Sequence, residues 1–241
     1  MIRTFIDILL IVFFFIITIP ILFIFWIIGF INRKAHDVLA YGLMKIAFSI
    51  ILFTSGVKVT VIDRDKIPKD RPVLFVGNHR SYFDIIVAYR YIIAPTGFIA
   101  KKEFRKVPVL GHWISCLHGL FLDRKDIKAG LKTILEAIDH VQNDNISYFI
   151  FPEGTRNHNE EMLPFKEGSM KIATKSGCPI IPMAMTHMDD IFENHTPWVK
   201  KTKVAIKYGD PIYTDQLSRE DQKFLGAHVR DVIQDMMKDM P

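Results

Sequence analysis

The sequence predicts an α/β fold, a central and mostly parallel sheet flanked by helices, with an N-terminal apolar helical segment that anchors the chain to a membrane. Three observations predict it. An uncharged run of 24 residues, "ILLIVFFFIITIPILFIFWIIGFI", fills positions 8–31. From about residue 57, short β-branched or aromatic runs alternate with helical stretches, the pattern of strands joined through helices. At 241 residues the chain can bury a sizeable core, and no repeat or low-complexity linker divides it. The economical division is a membrane-associated helical region, 1–56, and an α/β domain, 57–241.

Taken in order, the first run exceeds the roughly 20 apolar residues that a membrane-crossing helix requires. A secretory leader needs a shorter apolar stretch of about 7–15 residues and a small-residue cleavage site, and neither is found here. Pro20 falls mid-run, where it is expected to kink the helix or divide it in two, so a tilted span and an interfacial hairpin both fit. Trp26 suits a membrane interface, and Arg33 and Lys34 follow as a cytoplasmic flank, which puts the remainder on that side. The segment 38–57, "VLAYGLMKIAFSIILFTSGV", is again apolar but carries Lys45. A lysine at a helix centre costs about 2.5–3.5 kcal/mol on insertion. The segment is therefore expected beside the first or on the globular part.

Strands are predicted at "VKVTVID" (57–63), "PVLFVGN" (72–78), within "TGFIAKKEF" (96–104), at "GLFLDR" (119–124), "ISYFIFPEG" (146–154), "PIIPMAM" (179–185) and "KVAIKYGDPI" (203–212). Helices are predicted over "SYFDIIVAYRYI" (81–92), "DIKAGLKTILEAIDHVQ" (126–142) and "GSMKIATKSG" (168–177). In the second of these, Ile127, Leu131, Ile134, Leu135 and Ile138 form one apolar helical face. The last segment opens with Ser218 and Asp221 in capping-box register and places Phe224, Leu225, Val229, Ile233 and Met236 on one face.

A net charge of +5 suits anionic lipid headgroups. It would also suit nucleic acid, but no basic run interleaved with aromatics and no finger spacing accompanies it. The two cysteines, Cys116 and Cys178, make neither a disulfide framework nor a metal-ligand pair by spacing, and no metal site is expected.

The stretch "GNHRSYFD" carries His79 and Asp84 five residues apart after a buried strand. With nine His and eighteen Asp, about one such pair is expected by chance, and the chain has a second, His118 and Asp123. That second pair brackets a strand, which puts the side chains on opposite faces and about 17 Å apart. His79 instead falls in a loop at the carboxyl end of a strand, with Asp84 in the first turn of the next helix, where open α/β sheets build their sites. The pair fits a general base and the acid that orients it. Taken by itself it fits, somewhat better, a helix-terminal acid beside a loop histidine satisfied by backbone. "FPEGTR", 151–156, leaves another strand with a tight glycine turn and an arginine fork suited to phosphate. Both motifs leave carboxyl ends of strands, so one crevice can contain both.

"NHRSYFD", "GLFLDR", "FPEGTR" and "CPIIPM", in this order across 79–183, resemble the four sequence blocks of the glycerolipid acyltransferases, specifically the 1-acylglycerol-3-phosphate (lysophosphatidate) acyltransferases. The resemblance implies direct acyl transfer from a thioester, carried by coenzyme A or acyl carrier protein, to the sn-2 hydroxyl of lysophosphatidate, with no cofactor. It implies His79 as base and Asp84 as its partner. Arg124, Glu153, Gly154, Thr155 and Arg156 would line the acceptor side, and Pro182 would belong to the block that shapes the pocket. Lys101 would be a further phosphate or donor contact. It also implies a two-helix membrane element, with Pro20 as the divider. No Gly-x-Ser-x-Gly elbow is present, so an acyl-enzyme is not required. The Gly154 N–H is one candidate oxyanion donor.

Two other classes compete: a lipid ester hydrolase in which His79 activates water, and a non-catalytic binder of anionic lipid. Within the acyltransferases, glycerol 3-phosphate or another lysophospholipid is the nearest rival acceptor.

Overall fold

The computed structural model describes residues 1–159 and 161–241. Two helices come first, α1 (Ile2–Ile31) and α2 (Arg33–Ser55). There follow β1 (Lys58–Ile62), β2 (Leu74–Gly77), α3 (Phe83–Tyr91), β3 (Thr96–Lys101), α4 (Leu110–Cys116), β4 (Leu120–Leu122), α5 (Ile127–Asn143) and β5 (Ser147–Ile150). Then come α6 (Glu167–Ser176), β6 (Ile180–Thr186), β7 (Lys203–Tyr208), α7 (Arg219–Lys223) and α8 (Leu225–Lys238).

The seven strands form one sheet in the order β1-β7-β6-β2-β5-β3-β4. Every pairing is parallel except β6 with β7. The five strands from β6 to β4 therefore point the same way and deliver their carboxyl ends to one edge. Residues alternate between two cores, as the twofold period of a strand requires. Phe75, Phe149, Ile181 and Met183 face α2 and α3, whereas Leu74, Val76, Tyr148 and Ile180 face α5, α6 and α8. Covered on both sides, β2 has all four residues buried and reads as an unbroken apolar run.

Helix α1 corrects one expectation. It runs unbroken through Pro20, and the chain turns at Asn32, whose side chain accepts the Ala35 N–H and caps α2. Proline forfeits one bond, to the Ile16 carbonyl, and the helix persists because both halves rest on one wall. Thr18 Oγ1 accepts the Trp113 Nε1–H at 3.0 Å, and the rings of Phe14 and Phe25 both pack on Trp113. Nearer the N-terminus, Thr4 Oγ1 accepts the Val199 N–H at 2.8 Å, and the Asp7 carboxylate accepts from Thr54 Oγ1 and Ser55 Oγ at 2.6 and 2.7 Å. The opposite side of α1, with Phe5, Phe13, Phe23 and Phe30, is exposed. Helix α2 lies between α1 and α3, and Lys45 Nζ donates to the Ile92 carbonyl at 3.2 Å, which accounts for a charge in an apolar helix.

Two amphipathic faces are narrower than predicted. On α5, Ile134 and Ile138 are buried together with Thr133, Ala137 and Val141, while Ile127, Leu131 and Leu135 are exposed. The helix meets the sheet along a single stripe, and the flanking arc faces outward. The C-terminal helix breaks at Phe224, which is exposed, and the buried face begins at Leu225 and continues through Val229 and Ile233. The Ser218 cap is present: its Oγ accepts the Asp221 N–H at 3.1 Å.

Candidate active site

The site assembles where β6, β2, β5, β3 and β4 end side by side. Asn78, just past β2, ties that loop to β6: its amide donates to the Met185 carbonyl at 2.9 Å and accepts the Met185 N–H at 2.8 Å. The next residue is His79. Its ring lies flat on Phe151, centroids 3.9 Å apart, and Nδ1 sits 2.8 Å from Asp84 Oδ2. Asp84 is 1% exposed, and the same oxygen accepts the Arg80 and Ser81 N–H groups at 2.7 and 2.8 Å. Ser81 Oγ in turn accepts the Phe83 N–H at 3.0 Å, a reciprocal arrangement like a capping box. Burial pushes the Asp84 carboxyl above the ordinary carboxylate range, opposed by the His79 ring and the two backbone donors. An acceptor on Nδ1 fixes the tautomer with Nε2 as the free basic nitrogen.

Glu153 locks the histidine loop from the β5 side. It is buried, its Oε1 accepts the His79 N–H at 2.7 Å, and its Oε2 accepts the Leu163 N–H at 3.1 Å. The His79 carbonyl accepts the Asn157 N–H at 2.7 Å, so both backbone groups of the base are pinned to the "FPEGTR" loop. Burial raises the Glu153 carboxyl too.

Gly154 corrects the oxyanion assignment. Its N–H donates to the Phe151 carbonyl at 3.0 Å and closes the turn, so that group is not free. The turn needs glycine because φ is +74°, a conformation that L side chains rarely adopt. Arg124 Nη1 donates to the Gly154 carbonyl, which brings the β4 loop to the same place.

Arg156 lies over the Tyr82 ring, Cζ to centroid 3.6 Å; its Nη2 donates to the Tyr82 hydroxyl at 2.9 Å and its Nη1 to Glu193 Oε1 at 3.2 Å. Arg80 turns away, donating twice to Asp189 Oδ2 at 3.0 and 2.9 Å.

The remaining predicted residues fall as follows. Thr155 is exposed beside Arg156. Lys101 ends β3 and pairs with Glu103 at 3.7 Å, an acid that also influences Arg124. Pro182 is buried within β6, opposite Val76 of β2, and accepts the Gly209 N–H through its carbonyl at 2.8 Å. It touches the site through the sheet. Glu193, Asp189 and Lys166 carry no signal in the sequence. No spacing links them to His79 or Arg156, and only the adjacency of β6 to β2 reveals Glu193 and Asp189. The discarded pair is separate: His118 Nε2 lies 2.8 Å from Asp37 Oδ1, and Asp123 pairs with Lys102. A cavity of about 440 Å³ opens behind the loops, between Asn78, Arg80, Glu153 and Asn157 and the α8 residues Asp231 and Asp235. His79 and Arg156 do not line it.

The arrangement offers one oriented imidazole and nearby guanidinium groups, suited to removing a proton from a hydroxyl on a phosphate-bearing molecule. Comparison with known proteins points the same way. The 1-acyl-sn-glycerol-3-phosphate acyltransferase of Saccharomyces cerevisiae is 27% identical over 196 residues, 80% of this chain and 64% of the yeast protein. The chain thus spans somewhat under two thirds of that relative. The Borreliella burgdorferi enzyme of the same name is 28% identical over 195 residues, covering 81% of this chain and 78% of its own. The crystal structure of the 1-acyl-sn-glycerophosphate acyltransferase PlsC from Thermotoga maritima superposes with a TM-score of 0.79 at 27% identity, over 99% of this chain and 97% of that one. The family model described as Acyltransferase matches residues 58–186, more than half of the 241, and the chain belongs to that family.

Proposed function

We propose that this protein transfers a fatty acyl group from an acyl thioester to the sn-2 hydroxyl of 1-acylglycerol 3-phosphate, forming phosphatidate. The observation that carries the reading is the His79–Asp84 pair at 2.8 Å, beside the loop 151–156 that carries Arg156 and whose Gly154 carbonyl accepts from Arg124. The names of the relatives support the choice of acceptor.

In this reading His79 Nε2 takes the proton of the acceptor hydroxyl as its oxygen attacks the thioester carbonyl. Asp84 holds Nδ1–H and stabilises the imidazolium that forms. As the tetrahedral intermediate collapses, the new ester C–O bond remains, the C–S bond breaks, and the departing thiolate takes the proton from His79. The thioester is already activated, so alignment and proton transfer suffice, and no cofactor enters the scheme. Arg156 and Arg124 hold the acceptor's phosphate through charge-assisted hydrogen bonds. Lys101 is a peripheral cation for the phosphate or for an acidic donor, either coenzyme A or acyl carrier protein.

Residues 1–56 act as the membrane element in the same proposal. The buried contacts of α1 at Thr4, Asp7, Thr18 and Phe25 span about 32 Å of helix, all against the protein body. A helix held along its length presents its apolar side sideways, which favours lying in the bilayer surface over crossing it. Arg33 and Lys34 support a cytoplasmic catalytic domain. The test is turnover: detergent-solubilised protein given lysophosphatidate and a thioester should release phosphatidate. Free fatty acid in its place would favour the hydrolase.

A further inference from the structure

The loop after β6 supplies a carboxylate that none of the four motifs contains and that lies past the segment matched by the family model. Glu193 opens a short 3-10 turn, Glu193–His195, and its side chain is only 6% exposed. Its Oε2 accepts from Ser81 Oγ at 2.6 Å. Its Oε1 accepts the Tyr82 N–H at 2.8 Å and an Arg156 Nη1 hydrogen at 3.2 Å. One side chain therefore joins the loop that carries His79 to the loop that carries Arg156.

We propose that Glu193 is the positioning residue that orients Arg156 for the phosphate of the acceptor. The proposal rests on the function proposed above. A guanidinium has five N–H donors in a rigid fork. Glu193 takes one on Nη1 and Tyr82 takes one on Nη2, with the Tyr82 ring beneath. Three donors remain, including one on each terminal nitrogen, enough for a two-point hold on a phosphate. Glu193 is shielded from water, so solvent does not compete with its carboxyl oxygen for the Arg156 hydrogen, and it is this hydrogen bond that sets the direction of the fork. Without it, among the described residues only Tyr82, an exposed side chain, holds the Arg156 guanidinium.

The experiment compares full-length wild type, Glu193→Ala, Glu193→Gln, Arg156→Ala and the Glu193→Ala/Arg156→Ala double variant. Glutamine keeps an oxygen for Tyr82 and Arg156 and can donate to Ser81 Oγ, so it should rescue. The acceptor KM should rise roughly tenfold in Glu193→Ala, with the donor KM unchanged and kcat within about threefold. Glu193→Gln should stay within about twofold of wild type, and the double variant should match Arg156→Ala. An unchanged acceptor KM in Glu193→Ala, or an equal added loss in the Arg156→Ala background, overturns the proposal. If Glu193→Ala fails to fold, Glu193→Asp keeps the charge but cannot span both loops, and it should show the same KM rise. Titration with glycerol 3-phosphate reads the anion site without turnover. Weaker binding by Glu193→Ala, with no phosphatidate from wild type, keeps the proposal and rejects the reaction. Phosphatidate from wild type with unaltered KM and affinity in the variant rejects the proposal alone, and no binding by wild type counts against both.

Discussion

Asp84→Asn removes one charge from a site that is otherwise fixed. Asp84 Oδ2 receives three donors, His79 Nδ1–H and the Arg80 and Ser81 N–H groups, while Oδ1 is buried with no partner among the described residues. The asparagine amide must choose an orientation. Turning its NH₂ toward two backbone N–H groups would leave both unpaired, at about 1–3 kcal/mol each. The oxygen therefore stays at the Oδ2 position, and His79 keeps the tautomer with a basic Nε2. What is lost is the attraction between a carboxylate and the imidazolium. At an effective dielectric of 20 and about 4 Å between charge centres, that is about 4 kcal/mol for a fully formed imidazolium. A proton half transferred in the transition state gives about half of that. The expected loss in kcat/KM is roughly 30–1,000-fold. Steady-state phosphatidate formation at several lysophosphatidate concentrations measures it, with circular dichroism as the check on folding. The acceptor KM should hold, because Asp84 is 1% exposed and reaches the site only through His79 and its loop. A loss below about fivefold in folded protein would show that no imidazolium forms against Asp84.

Two further predictions concern the neighbouring groups. Arg156→Ala removes charge-assisted hydrogen bonds of about 1.5–3 kcal/mol and should raise the acceptor KM roughly 10–100-fold, with lysine restoring only part because it lacks the fork; an unchanged KM would remove Arg156 from the phosphate site. Glu153 has a folded-state pKa raised by burial, so the folded protein binds that proton more tightly than the unfolded chain. Its contribution to stability is fully present below about pH 4.3, the ordinary glutamate value, and is lost as pH rises through the raised value. Denaturant unfolding of wild type against Glu153→Gln as pH rises above about 4.3 should show a steeper loss of stability in wild type, the variant keeping only the slope of the other raised carboxyl, Asp84; equal slopes would mean that Glu153 does not titrate in that range.

Most strands were legible as short β-branched or aromatic runs, several of them closed by Gly, Asn or Asp, as at Asp63, Asn78, Asp123 and Gly209, and burial on both faces leaves little choice of residue at positions such as Leu74 to Gly77. The site was legible as far as its residues leave strand ends in recognisable motifs: His79, Asp84, Glu153 and Arg156 meet because β2 and β5 are neighbours. Glu193 was hidden because its role depends on β6 lying beside β2, and pairing across 37 residues, as with Arg156, leaves no trace in local spacing. Pro20 misled because a local rule about helix breaking was overridden by packing on Trp113. Ile127, Leu131 and Leu135 misled because helical period reports an apolar face, not how much of it the neighbouring layer covers. The Gly154 N–H looks free in the sequence because nothing local shows that the turn itself consumes it on the Phe151 carbonyl.

His79 as the base of an acyl transfer to lysophosphatidate is open to a simple test. The most direct measurement incubates wild type and His79→Ala with lysophosphatidate and a thioester donor, supplied as acyl-CoA and as acyl carrier protein, and follows phosphatidate by mass spectrometry. General-base action contributes about 10²–10⁴-fold, so wild type should form phosphatidate and folded His79→Ala at least a hundredfold less. Comparable phosphatidate from both proteins, or none from wild type with either donor, would contradict it.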